Sequence, residues 1–204
     1  HIKHPARLLG YTALAIWSTF AIALADNLLT MYIAYEMLTL MTYPLVTIKN
    51  TDSSKKAGKT YLLYLLGTSL GLMLPAIVLC YYYSVPGSNL HSSGIFADGT
   101  PANAIGIALL LMLLGTAKAG LWPFCKWLPA AMVAPIPVSG LLHAVAVVKS
   151  GIIVLYKFVI YAIGATTWEA LVGDNFLVTY IWIIPSITII YAGLRATFVD
   201  DLKQ

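Results

Sequence analysis

The sequence predicts an all-α, polytopic bundle of about six transmembrane helices, one of them broken. Three observations carry that prediction. The 204 residues are 60% hydrophobic and only 10% charged, with a mean hydropathy of +0.84, whereas a soluble domain carries about 25% charge. Six apolar stretches approach the roughly 20 residues that a membrane crossing needs: Leu8–Ala25, Leu28–Val46, Thr60–Tyr83, Ala102–Leu121, Pro137–Gly164 and Phe176–Phe198. The segments between them alternate in the sign of their charge.

The first two stretches are separated only by Asp26-Asn27, which predicts a tight helical hairpin. The tail before them carries Lys3 and Arg7, and the turn carries Asp26. Lys49, Lys55, Lys56 and Lys59 then outweigh Asp52, and Asp98 is the only charge in the loop from Ser84 to Pro101. Lys126 precedes the fifth stretch; Glu169 and Asp174 precede the sixth. An excess of Lys and Arg marks the cytoplasmic side, so the N-terminal tail is expected in the cytoplasm. Pro44, Pro75 and Pro185 predict local kinks, and Gly67 and Gly71 form a small-xxx-small pair that lets another helix come close.

The fourth stretch is expected to break. After Lys118-Ala119-Gly120 come Leu121-Trp122-Pro123 and Trp127-Leu128-Pro129. Glycine is permissive, and Pro123 removes an amide donor and disfavours helix just before it. The reading is one arm up to about Lys118 and a second, short arm over Phe124–Val133. Backbone freed inside a membrane must face protein or water, and transporters place ion sites at such breaks. The alternative is a kink and an interfacial turn anchored by Trp122 and Trp127. Ala134-Pro135-Ile136-Pro137 then forms a stiff connector, with Pro137 in the first turn of the fifth helix, where a missing N–H costs little.

Several classes are excluded. The net charge of +4 is spread over loops without a basic cluster or interleaved stacking aromatics, so no nucleic acid is expected as partner. Cys80 and Cys125 form neither a metal motif nor a disulfide framework and read as buried small side chains. Gly58-Lys59-Thr60 resembles the end of a phosphate loop, but Ser53 stands where the motif needs glycine. No redox cofactor is expected, and none of the motifs in the sequence points to catalytic chemistry in this chain.

What remains is a set of ionisable side chains within apolar runs. Lys149 lies twelve residues into its stretch and Lys118 sixteen residues into its own. Glu36 sits among Met31, Ile33, Met37 and Leu40, and His143 shares the helix of Lys149. A charge at membrane depth costs about 3 kcal/mol on insertion scales. Four such groups point to a membrane protein that handles protons or ions. Lys118 is expected to lie too deep to snorkel, whereas Lys157 lies near enough to a helix end to do so. His143 and Lys149 are about 9 Å apart along the axis and about 120° apart around it, so they would line two sides of a polar path.

These residues also carry a resemblance. Leu28-Leu29-Thr30-Met31-Tyr32-Ile33-Ala34-Tyr35-Glu36-Met37-Leu38-Thr39-Leu40 resembles the glutamate-bearing helix of the antiporter-like subunits of respiratory complex I and of Mrp-type cation/proton antiporters. Gly115-Thr116-Ala117-Lys118-Ala119-Gly120 with Trp122-Pro123 and Trp127-Leu128-Pro129-Ala130-Ala131-Met132 resembles the broken helix of that family. Pro135-Ile136-Pro137-Val138-Ser139-Gly140-Leu141-Leu142-His143-Ala144 through Val148-Lys149-Ser150-Gly151 is similar to its most characteristic block. The resemblance implies that residues 1–204 form a single transmembrane domain, a fragment covering helices four to nine of a roughly fourteen-helix subunit. Asp200-Asp201-Leu202-Lys203-Gln204 resembles the connector to a second inverted repeat. Glu36 and Lys118 would be the coupled ion pair, with His143 and Lys149 on the central hydrophilic axis. Ala130 departs from the aspartate found in many complex I members, which favours an antiporter-like relative.

The sequence is therefore expected to serve proton translocation through Glu36, Lys118, His143 and Lys149. Its expected partners are other subunits of a multisubunit complex, the lipid bilayer of a bacterial inner membrane or equivalent energy-converting membrane, and protons. Two alternatives stay open: a subunit that also moves sodium or potassium, and a non-transporting subunit whose charges only hold helices together.

Overall fold

The computed structural model describes residues 5–174 and 179–198. Lys3, Phe176 and residues 200–204 lie outside them, and with them the expected charge of the tail and the closing connector. Among the described residues the chain is helical, with a single isolated antiparallel bridge between Ser84 and Phe96. The fold is a polytopic membrane helix bundle.

The hairpin forms as expected. Helix α1 (Pro5–Leu24) and α2 (Leu28–Val46) meet at a turn where the Asn27 side chain accepts from the Thr30 amide at 2.7 Å and caps α2. Helix α3 (Asp52–Thr68) starts earlier than its apolar stretch because Thr51 and Ser54 cap each other reciprocally. It runs through a π-helical turn, Ser69–Met73, into α4 (Leu74–Tyr83). Helix α5 (Ala102–Gly115) leads to a 3₁₀ turn, Ala117–Ala119, and then the short α6 (Trp127–Ala131). The fifth stretch is α7 (Ile136–Gly140), a π-helical turn (Leu141–Val145), α8 (Val147–Lys157) and a second π-helical turn (Phe158–Ile163). Helices α9 (Ala165–Asp174) and α10 (Tyr180–Ala196) follow.

Ala6–Leu24, Asp52–Tyr83 and Ile136–Ile163 are long and apolar enough to cross a membrane by length and composition. The nineteen residues of α2 would extend about 28 Å, and α5 and α10 are shorter apolar helices. Leu90 in the long loop donates its amide to the Asp26 carbonyl at 2.8 Å, and Ile95 donates to Ala162 at 2.9 Å. The first turn, the loop over residues 84–101 and the end of the fifth stretch therefore share one end of the bundle.

The core is built from inward faces: Tyr35 and Leu38 of α2, Tyr61 and Leu65 of α3, Met112 of α5 and Trp127 of α6 are fully buried. Leu9, Trp17, Phe20 and Leu24 on α1 point outward, as suits a helix whose outer face meets lipid. None of the described side chains of α10 is buried; the Trp122 amide donates to Thr188 on this helix at 2.9 Å.

Four expectations are corrected. The fourth helix breaks before Lys118, not after it: α5 ends at Gly115, and Thr116 leaves helical geometry at φ −88°, ψ 56°. The break opens where α5 meets the first π-helical turn: a Cβ on Gly115 would run into the backbone of Met73, so two backbones meet there. The second arm is shorter than expected, and Trp127 is a fully buried core residue, against the alternative that made it an interfacial anchor. Gly67 and Gly71 meet nothing within 4 Å, and the close approaches fall instead at Gly115 and Gly151, whose absent side chain makes room for Lys118 and Ala119 backbone. Lys157 does not snorkel: it is buried and donates to the carbonyls of Ala23 at 2.8 Å and Ala25 at 2.5 Å, closing the end of α1.

Candidate functional site

The site is the break. Within it Lys118 is the third residue past the last α-helical turn, and Gly120 returns the chain through a left-handed conformation at φ 74°, which glycine adopts without strain. The freed backbone groups find partners nearby. The Thr116 hydroxyl donates to Met112 at 2.6 Å, Gly120 donates to Ala117 at 2.9 Å, and the indole N–H of Trp127 donates to the Ala117 carbonyl at 2.8 Å. Trp127, not the lysine, closes the break on itself.

Lys118 is thereby released to reach across to α2. It is 0% exposed, and its amine donates to the main-chain carbonyl of Tyr35. The amine also lies 3.3 Å from the centre of the Tyr35 ring, a cation–π contact. The Tyr35 hydroxyl accepts from the Lys118 amide at 3.3 Å. Tyr35 thus receives the lysine through its ring, hydroxyl and carbonyl together. It was missed in the sequence, although it adjoins Glu36, because nothing in the spacing shows which neighbour a lysine 83 positions away will choose.

Glu36 follows Tyr35 in α2. Both of its carboxylate oxygens are buried and, among the described residues, unpartnered. It interacts electrostatically with Lys118 but no hydrogen bond joins them. The expected coupled pair is brought to one place, with the Tyr35 peptide between its members.

His143 lies on the first π-helical turn of the fifth stretch. Its ring stacks on Trp127 at 6.2 Å between centres and 15° between planes, and both ring nitrogens are buried and, among the described residues, without a partner. Trp127 also meets the Tyr61 ring edge-on at 5.5 Å, and the Tyr61 hydroxyl bonds Thr42 of α2 at 2.7 Å. Trp127 therefore ties the break, α2, α3 and His143 together.

Lys149 is not brought to this cluster. It is exposed, contrary to the central buried position expected of it. The buried face of α8 is made by Val147, Ser150, Gly151 and Val154, and Lys149 lies about 200° around the helix from Val147. Among the described residues no group of three His, Cys, Asp or Glu side chains comes together to hold a metal.

Comparison with known proteins follows the same lines. The family described as NADH:quinone oxidoreductase/Mrp antiporter, TM, matches residues 25–204. A Staphylococcus aureus (strain MRSA252) protein named as antiporter subunit mnhA2 is 31% identical over 199 residues, covering 95% of this chain and 23% of that protein. Its counterpart in Staphylococcus saprophyticus is 30% identical over 202 residues, covering 97% and 24%. Among solved structures, the Mrp complex from Dietzia sp. DQ12-45-1b matches with a TM-score of 0.68 and 28% identity, covering 81% of this chain and 18% of that one. The chain thus spans about a quarter of the length of these curated relatives.

Proposed function

Because the chain belongs to the NADH:quinone oxidoreductase/Mrp antiporter transmembrane family, we propose that it is part of a proton-translocating subunit of an Mrp-type or complex I-like membrane complex. The observation that carries this reading is a fully buried lysine in a helix break beside a buried, unpartnered carboxylate. A membrane protein retains such groups at considerable cost, and they face paths for ions.

The chemistry is a charge switch. An ionised Glu36 favours the charged form of Lys118, and neutralising Glu36 withdraws that support. The Tyr35 carbonyl can hold the amine in either state, and the Tyr35 ring favours the charged one. A proton leaving Lys118 would pass toward His143, which the shared packing on Trp127 holds next to the break. Lys149 would extend the path only through a protein surface that covers its exposed face, supplied by the rest of the subunit or by a partner subunit. Orientation follows the positive-inside rule, with exposed Arg7, Lys49, Lys55, Lys56, Lys59 and Lys126 toward the cytoplasm.

The relatives' names favour a second reading, an antiporter subunit in which sodium or potassium moves against protons. Lys118 argues against a bare cation following the same route. The deciding experiment is Glu36→Gln in the assembled complex, reconstituted in vesicles with a pH-sensitive dye and with sodium present or absent. Loss of proton flux with normal assembly is expected. Normal flux removes the proposed role of Glu36.

A further inference from the structure

The unpartnered oxygens of Glu36 are not isolated. Tyr32 precedes Glu36 by four residues on α2, so both side chains leave the same face of the helix. Tyr32 is only 8% exposed, and its hydroxyl is buried and, among the described residues, unpartnered as well. Ser69, fully buried at the start of the first π-helical turn, stands beside both of them. Its hydroxyl proton goes to the Leu66 carbonyl at 3.1 Å, which leaves its oxygen free to accept. Ser69 acts on both Tyr32 and Glu36 as a hydrogen-bonding neighbour, yet neither approach reaches hydrogen-bond geometry. Leaving buried polar groups unpaired costs about 1–3 kcal/mol each, and three converging oxygens form the kind of site that an internal water occupies, since such a water needs two to four polar partners.

We propose that Tyr32, Glu36 and Ser69 bind one internal water, and that this water is where Glu36 exchanges its proton, with Tyr32 and Ser69 as its positioning residues. The donors and acceptors balance. The water accepts from the Tyr32 hydroxyl and donates to a Glu36 oxygen and to the Ser69 oxygen. When a proton arrives the water is briefly a hydronium. One of its O–H bonds breaks, a new O–H bond forms on the Glu36 carboxylate, and neutral water remains. The positive charge of Lys118, which acts on Glu36, disfavours a metal cation as occupant. The π-helical turn sets Ser69 at this point, consistent with the use of such turns at functional sites.

This inference rests on the proton-transfer role proposed for Glu36, and its test separates the two. The complete protein in its complex is examined by infrared difference spectroscopy, alongside proton flux in vesicles. The carboxylic-acid band lost in Glu36→Gln identifies Glu36. In Tyr32→Phe that band should shift, a water O–H band sensitive to ¹⁸O-water should disappear, and flux should fall about a hundredfold, at the lower end of what a positioned proton-transfer partner contributes. Ser69→Ala should shift the same band, and Ser69→Thr, which retains the hydroxyl, should restore it. Should Tyr32→Phe fail to assemble, the serine pair decides by the same band. Unchanged band and flux in Tyr32→Phe, or in Ser69→Ala, overturn the proposal while an inactive Glu36→Gln leaves the role of Glu36 standing. A band that moves with sodium concentration puts a cation in the site and also overturns it. Normal flux in Glu36→Gln removes the underlying reading itself.

Discussion

The amine of Lys118 donates to the main-chain carbonyl of Tyr35, one residue before Glu36, and makes no bond to the Glu36 carboxylate. A carbonyl cannot titrate, so it holds the lysine without fixing its charge. The carboxylate is left to take up or lose a proton without first breaking a salt bridge. Tyr35→Phe, which keeps ring and carbonyl, is expected to leave proton flux within about twofold of wild type and to cost stability instead, about 1–3 kcal/mol for the buried Lys118 amide that loses its acceptor. Tyr35→Ala removes a desolvated cation–π contact of about 2 kcal/mol and should reduce flux strongly. Flux in vesicles at matched expression checks both.

Gly151 is where the fifth stretch touches the break. A Cβ there would meet the backbone of Ala119 and Lys118, which cannot move aside as a side-chain tip can. Gly151→Ala should therefore impair transport while the protein still inserts. Gly67→Ala is the control: nothing lies within 4 Å of that position, and alanine favours helix over glycine by about 1 kcal/mol, so stability should be unchanged or higher. Thermal unfolding in detergent, read beside flux, distinguishes the two.

Trp127→Phe keeps an aromatic ring but loses the indole bond to the buried Ala117 carbonyl. An orphaned buried group costs about 1–3 kcal/mol. The variant should unfold at lower temperature and lose part of its flux, since the turn carrying Lys118 is closed by that bond. Unchanged unfolding would show that the break closes without it.

Lys157→Met should lower stability by about 1–3 kcal/mol, because three carbonyls at the end of α1, those of Ile22, Ala23 and Ala25, lose their donor. Flux per assembled complex should stay near wild type, for this lysine serves the hairpin and not the break. A lost flux with normal unfolding would place Lys157 in the ion path instead.

On the fifth stretch, Lys149→Ala is expected to reduce proton transfer strongly and His143→Ala only partly. A water can replace the imidazole in a hydrogen-bonded chain, whereas no other lysine or arginine lies within four residues of Lys149 to stand in for its amine. Flux in vesicles tests the ordering; an inactive His143 variant with a normal Lys149 variant reverses it.

The membrane bundle, the hairpin at Asp26-Asn27 and the presence of a break near Lys118 were all legible in the sequence. Each depends on local quantities: the length of an apolar run, a capping residue, a cluster of glycine and proline. Glu36 and Lys118 could be singled out for the same reason, since a charge within an apolar run is conspicuous wherever the run folds. Where the break opens showed only in the tertiary structure: it lies beside Gly115, where the chain meets the backbone of Met73. It also decided that Lys118 rests on Tyr35, that Trp127 closes the turn, that Lys157 caps α1 and that Lys149 faces outward. Spacing along one helix gives relative azimuth only; which azimuth is buried depends on the helices packed against it, and those are fixed by side chains distant in the chain.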